Sequence, residues 1–122
     1  MDLSKVPAWR YGCILGASGV FLGAYGAHGL AKLVNNDAVK LANWRTAYQF
    51  QFFAALTLLA IGLGHEKLRR PQLASNLVLA GAIGFSGSIY ALTLKPKLGR
   101  YIGPVTPLGG LSMAAGFLTM LL

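Results

Sequence analysis

Few side chains here have the makings of chemistry. The 122-residue chain holds three acids (Asp2, Asp37 and Glu66), two histidines (His28 and His65) and one cysteine, Cys13. One cysteine excludes an internal disulfide and a cysteine-rich metal site, so Cys13 reads as a small apolar packing residue. Two Gly-x-Ser-Gly runs, Gly16-Ala17-Ser18-Gly19 and Gly84-Phe85-Ser86-Gly87, offer serine hydroxyls as nucleophiles. A serine nucleophile needs a base within hydrogen-bond reach. On a helix His28 lies about 15 Å from Ser18, too far to act on it. His28 itself, in Gly26-Ala27-His28-Gly29 and near Lys32, reads as an interfacial hydrogen-bonder or as a proton-handling or quinone-contacting group. His65 stands among Glu66, Lys67, Arg69 and Arg70 and reads as solvated.

The elements that would position these groups are legible from charge. Residues 11–31, 46–64, 71–94 and 101–122 contain no Asp, Glu, Lys or Arg and are mostly apolar. A helix crosses a hydrocarbon core of about 30 Å with roughly 20 apolar residues. Apolar residues make up 55% of the chain and charged ones 11%, against about 25% charged in an average soluble domain. The composition implies an all-α, integral membrane, antiparallel four-helix bundle. It would be a single transmembrane domain over residues 1–122, with spans at about 11–31, 48–64, 71–94 and 104–122. The first apolar run outlasts the usual h-region of a cleaved signal and is expected to be retained.

The net charge of +8 does not read as a nucleic-acid signal. The cations cluster at span ends, where Lys and Arg snorkel toward anionic headgroups. Lys5, Arg10, Lys67, Arg69 and Arg70 fall on one side, and Lys32, Lys40, Arg45, Lys95, Lys97 and Arg100 on the other. Five against six leaves the positive-inside rule without purchase. The histidines fall on opposite sides and cannot share a metal. All three acids lie outside the spans, whereas an exporter of the small multidrug type would carry a glutamate within its first helix. A rhomboid-type protease, the other bearer of Gly-x-Ser-Gly, needs more spans than four.

Small residues mark the docking faces. Gly12, Gly16, Gly19, Gly23 and Gly26 recur at spacings of 4, 3, 4 and 3, a 3.5-residue period that forms one stripe of a left-handed supercoil. Gly81, Gly84, Ser88 and Ala91 form a second stripe, and Gly109, Ser112, Gly116 and Thr119 a third. Such stripes let helix backbones approach closely in lipid. The second span instead carries bulky Phe50, Phe52, Phe53, Leu56, Leu58, Leu59 and Ile61. The expectation is that spans one, three and four make the close contacts, while the second faces lipid or a partner. Gln49, Gln51, Ser75 and Asn76 are expected to form interhelical hydrogen bonds.

Between the first two spans, apolar and polar residues alternate so that Val34, Ala38, Leu41 and Ala42 share a face. This predicts a short interfacial helix at about 36–47, capped by Asn36 or Asp37. Trp44, Tyr48, Trp9, Tyr11 and Tyr101 suit the headgroup belt. Near the end, Thr106 and Pro107 read as N-cap and first residue of the last helix. Residues 103–106 would then be irregular backbone, tolerated at depth only when covered by protein or lining a wet cavity.

Four motifs in order carry a resemblance across nearly the whole chain. They are Gly23-Ala24-Tyr25-Gly26-Ala27-His28-Gly29; Trp44-x-Thr46-Ala47 with Gln51; Phe85-Ser86-Gly87-Ser88-Ile89-Tyr90; and Thr106-Pro107-Leu108-Gly109-Gly110. Together they resemble the transmembrane protein 256 / DUF423 family. The resemblance implies a small four-span membrane protein, mitochondrial in eukaryotes, in a family without an established activity. Family members commonly carry a histidine in the second span where this chain has Ala54. A reaction resting on that histidine would be lost here, which favours a structural role.

The functional expectation is therefore an accessory or structural subunit, without catalytic activity of its own, in a larger inner-membrane assembly such as a respiratory-chain complex. The alternative is a small homo-oligomeric transporter or channel. The expected location is the mitochondrial inner membrane in a eukaryote and the plasma membrane in a bacterium. Expected partners are membrane lipids and other membrane subunits, with no nucleic acid, cofactor or metal. His28, Ser86, Tyr90, Thr106 and Pro107, beside Gly19 and Gly23, are the candidate cluster for packing and for lipid or quinone contact.

Overall fold

The computed structural model describes residues 2–122, and among these the only regular structure is helical. A 3-10 turn, Leu3–Lys5, leads into α1, Pro7–His28. Asp2 caps that turn. The Ser4 hydroxyl and amide donate to its carboxylate at 2.7 and 3.0 Å and hold its pKa below the usual value. Proline suits the first position of α1, because its missing N–H would have no acceptor there. A four-residue α2, Leu30–Leu33, follows. Asn35 and Asn36 then turn the chain back through left-handed conformations, φ 55° and 56°, which asparagine tolerates better than most residues.

Asp37 caps α3, Ala38–Leu63, accepting from the amides of Val39 and Lys40 at 3.0 and 3.2 Å. Here the structure corrects the sequence reading. The interfacial helix expected at 36–47 and the span expected at 48–64 are one unbroken helix of 26 residues. No glycine or proline interrupts the run from Ala38 to Ile61, and its first half is held against α1 through Trp44, whose indole donates to the Leu22 carbonyl, and Tyr48, which faces Gly23.

The next rod combines α4, Pro71–Ala82, a π-helical turn, Ile83–Gly87, and α5, Ser88–Leu94. A 3-10 turn, Pro96–Leu98, and α6, Gly99–Ile102, lead to α7, Val105–Thr119. Thr106 is not the N-cap of this helix. Pro104 holds that place without a side-chain bond, and α7 starts before Pro107. Nor is 103–106 irregular, since Gly103 and Pro104 keep right-handed helical angles. Both prolines fit because the amides of a first turn have no intrahelical acceptor.

The helices pair as two antiparallel hairpins. Along α1 the glycine stripe lies on α3, in descending order of α3 residues. A Cβ built at Gly12 would lie 2.8 Å from the Ala55 carbonyl oxygen, and one at Gly19 2.8 Å from the Phe52 ring. Gly23 faces Tyr48, and a Cβ at Gly26 would lie 2.6 Å from the Trp44 ring. Gly16 is looser, with the Ala55 methyl at 3.9 Å. The expectation that the second long helix stands aside is thus overturned. Its bulky side chains need a groove, and the glycine stripe is the groove.

The second hairpin, α4 against α7, follows the expected stripes. A Cβ at Gly81 would lie 2.7 Å from the Gly109 oxygen, and one at Gly116 3.1 Å from the Ala74 oxygen. At Gly109 it would meet Gly84 C at 2.7 Å and the Gly81 oxygen at 2.9 Å. The Ser112 hydroxyl donates across this seam to the Leu77 carbonyl at 2.8 Å. The hairpins meet through α3 and α4, where Ala54, Leu58, Ile61, Ala74, Val78 and Ala82 form the buried core with Ala8 and Met113. Val6–Ala8, His65 and Pro71 gather at one end, and Met120 and Leu122 lie beside Glu66–Arg69 there. Both chain ends and the middle loop therefore share that end.

Candidate functional site

The densest polar constellation sits inside the bundle around Gln51, 4% exposed on α3. Its amide nitrogen donates to the Leu15 carbonyl at 2.9 Å and to the Ser18 hydroxyl at 2.8 Å, both on α1. The Tyr90 hydroxyl, from α5, donates to the Gln51 amide oxygen at 2.7 Å. The Ser18 hydroxyl donates to the Ile14 carbonyl at 2.8 Å. One side chain thus ties three helices, and each of its polar atoms has a partner, as a buried amide requires.

Trp44 extends the constellation. Its indole N–H donates to the Leu22 carbonyl at 2.9 Å. Its ring packs on Tyr90 and Tyr25 at centroid distances of 4.6 and 5.7 Å. Trp44 is only 2% exposed, so it is a core anchor and not a headgroup-belt residue. Gly26 is the reason it fits, as the indole occupies the space a side chain there would fill.

The π-turn Ile83–Gly87 aims the next hydroxyls. Its wider turn shifts the register of the rod, and the small residues Gly84, Ser86 and Gly87 allow it. Ser86 then points to α3 and donates to the Ala47 carbonyl at 2.7 Å. Ser88 points to α7, donating to its own helix at Phe85 O, 3.0 Å, and bonding the Thr106 hydroxyl. Gly84 and Phe85 lie directly on the Gly109 backbone.

The expected cluster is therefore only partly assembled. Ser86 and Tyr90 meet the α3 residues Ala47, Trp44 and Gln51, while Thr106 meets Ser88 and not Tyr90. His28 and Pro107 are exposed. Ser18 and Ser86 both donate to backbone carbonyls, so neither hydroxyl is turned toward an imidazole base. Of the four polar residues expected to bridge helices, Gln51 does so. Ser75 bonds its own helix at Gln72 O, 3.1 Å, and Asn76 accepts from Gln72 at 2.8 Å, while Gln49 is exposed. Ala54 is fully buried in the apolar core. His65 also departs from expectation, because its Nδ1 is buried and without a hydrogen-bond partner. Among the described residues, no three His, Cys, Asp or Glu side chains gather to hold a metal.

Residues 22–110 match the family described as "Protein of unknown function (DUF423)". The chain is 41% identical over 116 residues to a UPF0382 membrane protein of Schizosaccharomyces pombe, covering 93% of this chain and 97% of that one. It is 35% identical over 115 residues to a UPF0382 inner membrane protein of Escherichia coli, covering 91% and 83%. A UPF0382 membrane protein of Staphylococcus haemolyticus is 34% identical over 102 residues, covering 82% and 80%. No solved structure matches the chain significantly. From the motifs through the family match to relatives in yeast and bacteria, one conclusion holds: the chain belongs to the DUF423 family and is a membrane protein.

Proposed function

We propose that the chain crosses the membrane four times and serves as a small accessory subunit, without catalysis of its own, packed into a larger inner-membrane assembly. The observation that carries this reading is the use of its interior polar groups. Gln51, Tyr90, Trp44, Ser86, Ser88 and Ser112 are engaged in bonds that hold helices together. The surface, by contrast, is apolar: Phe21 is 76% exposed, and Ile14, Leu56, Ile83, Leu111 and Leu118 are exposed as well. That division suits a scaffold that offers flanks to lipid and to neighbouring subunits.

Length supports the crossings. Among the described residues, Ala38–Leu63 and Pro71–Leu94, at 26 and 24 residues, are long and apolar enough to span, at about 39 and 36 Å. The 22 residues of α1 reach about 33 Å. The 15 residues of α7 reach about 23 Å, a short crossing that α6 extends toward the interface. Both chain ends beside the middle loop fit an even number of crossings. The membrane would be the mitochondrial inner membrane in a eukaryotic cell and the plasma membrane in a bacterial one.

Native electrophoresis of mildly solubilised membranes, with mass spectrometry of the band, tests the subunit reading. Co-migration with a large complex supports it, and respiratory-chain complexes are the first to examine. A free homodimer stabilised by a small solute would replace it with a transporter or channel.

A further inference from the structure

At the end of the bundle away from the chain termini, α1 and α2 part from α3 and leave a cleft of about 260 Å³. Ala27 and Ala31 form one wall, and Leu41, Arg45 and Tyr48 the other. Buried Trp44 closes the back, its indole N–H already given to the Leu22 carbonyl. Small side chains face large ones here as they do along the rest of the α1–α3 seam, but at this level a gap remains between them.

The charges around this cleft are nearly all of one sign. Arg45 lines it and is exposed. Lys32, Lys40, Lys95, Lys97 and Arg100 belong to the same end, where Lys40 and Asn43 meet Thr93 and Pro96. Asp37 is the one acid there, and its carboxylate is taken by the amides of Val39 and Lys40. It also lies about 12 Å before Arg45 along the helix. Among the described residues, no acid is left to pair with the Arg45 guanidinium. Deeper than Arg45 the walls turn mainly apolar. Val20, Ala24 and Ala27 recur at helical spacing on α1 and are all exposed, and on α3 Tyr48 packs edge-on against Phe52, ring centroids 6.0 Å apart. A cation at the mouth of an apolar groove is the complement of an amphiphile with an anionic head. A zwitterionic head would bring its own cation into a field that is already positive.

We propose that this cleft holds an anionic phospholipid, with the Arg45 guanidinium bonding its phosphate and one acyl chain lying along the groove between α1 and α3. A guanidinium matches a phosphate through two parallel N–H donors. The site rests on the four-span reading, which sets Arg45, the last cation before the uncharged run 46–64, at headgroup depth.

The test uses the full chain carrying Trp9→Phe, so that Trp44 at the back of the cleft is the sole indole. It is reconstituted in phosphatidylcholine nanodiscs with increasing fractions of either phosphatidylglycerol or phosphatidylcholine brominated on the upper acyl chain, and the quenching of Trp44 emission is read. Bromine quenches only at short range. Brominated phosphatidylglycerol should quench at mole fractions at least about tenfold below those that brominated phosphatidylcholine needs, the worth of one hydrogen bond to a charged group. Arg45→Gln removes the charge and Ala31→Leu fills the cleft; each should abolish the difference, while Lys97→Gln keeps it. Equal quenching by the two lipids overturns the proposal. So does a preference that survives Ala31→Leu, or one that falls as far in Lys97→Gln as in Arg45→Gln, since general surface charge would then suffice. Relief of the quenching by inorganic phosphate assigns the cleft to a free anion and overturns the lipid. No quenching by either lipid overturns the four-span reading together with the site, whereas equal quenching spares that reading. Circular dichroism checks folding; Arg45 is exposed and Ala31 half-buried, and either variant decides if the other fails to fold.

Discussion

Replacing Gly109 with alanine tests how the second hairpin is held. The added methyl would fall on Phe85 N, 2.7 Å from Gly84 C and 2.9 Å from the Gly81 oxygen. All three are backbone atoms, so no side chain can swing away. Ordinary carbon contacts need about 3.5 Å or more, so α4 and α7 must part by at least half an ångström. That displacement also loosens Gly81 and Gly116, which pack in the same seam. Overpacking of this kind costs about 1–3 kcal/mol, and alanine's better helix propensity returns up to about 1 kcal/mol. Because the clash is backbone on backbone, the upper part of the overpacking range applies, and a net loss of about 2 kcal/mol is expected. This is roughly a thirtyfold fall in the folding equilibrium constant. Gly16→Ala is the matched control. It meets only the Ala55 methyl at 3.9 Å and should be neutral or stabilising by up to about 1 kcal/mol. Reversible unfolding in mixed micelles, followed by circular dichroism, compares the two. Equal stability of the two variants would refute the close-approach account of the α4–α7 seam.

Three further outcomes follow from other parts of the bundle. Gln51→Leu removes three interhelical bonds and strands the Tyr90 hydroxyl, so at about 0.6 kcal/mol per bond a loss near 2 kcal/mol is expected in the same assay; Tyr90→Phe should cost less. Asp37→Ala removes the cap of α3 and should cost about 1 kcal/mol, with hydrogen exchange speeding up at the Val39 and Lys40 amides and not at Leu58. Cys13 is exposed on α1, and because maleimides are attacked by the thiolate, which forms only where water reaches, it should resist N-ethylmaleimide in an intact bilayer and react once the membrane is dissolved in denaturant; rapid labelling in the bilayer would place that face of α1 in water.

The sequence made the helices legible and their partners less so. Runs without charge locate α1, α3, the rod 71–94 and α7, because ionised groups are costly in lipid whatever the tertiary arrangement. Asp37 was readable as one of two caps, and the structure selects it over Asn36, which instead supplies a left-handed turn residue. The break expected at residue 47 was wrong because amphipathic patterning ends at a membrane surface while a helix ends only where its hydrogen bonding does. Nothing between Ala38 and Ile61 stops it. The π-turn left no periodic signal at all. It follows from small residues at 84 and 86 meeting backbones on other helices, at Gly109 and Ala47, which is a property of the pair.

The misjudged role of α3 has a more general cause. In water, a bulky apolar side chain is pushed toward the core by the solvent; in lipid the tails are as apolar as leucine, and that push is absent. Shape then decides burial. On α3, Trp44 and Leu58 are 2% and 0% exposed, whereas Phe53 and Leu56 are 56% and 64% exposed, although all four are large and apolar. What separates them is whether a small residue faces them. Gly26 opens a space for Trp44, and Ala54, Ala74, Val78 and Ala82 accompany Leu58. A stripe of glycines therefore announces that a helix docks, and its complement is a stripe of large residues as readily as another stripe of small ones. Both forms occur here, small against large between α1 and α3, and between α4 and α7 a mixture in which Gly84 meets Gly109 while Gly81 and Gly116 face Met113 and Val78. Distinguishing them from sequence requires matching side-chain volumes across every candidate pair of faces, and Trp44 opposite Gly26 is the pairing that such a match would find first.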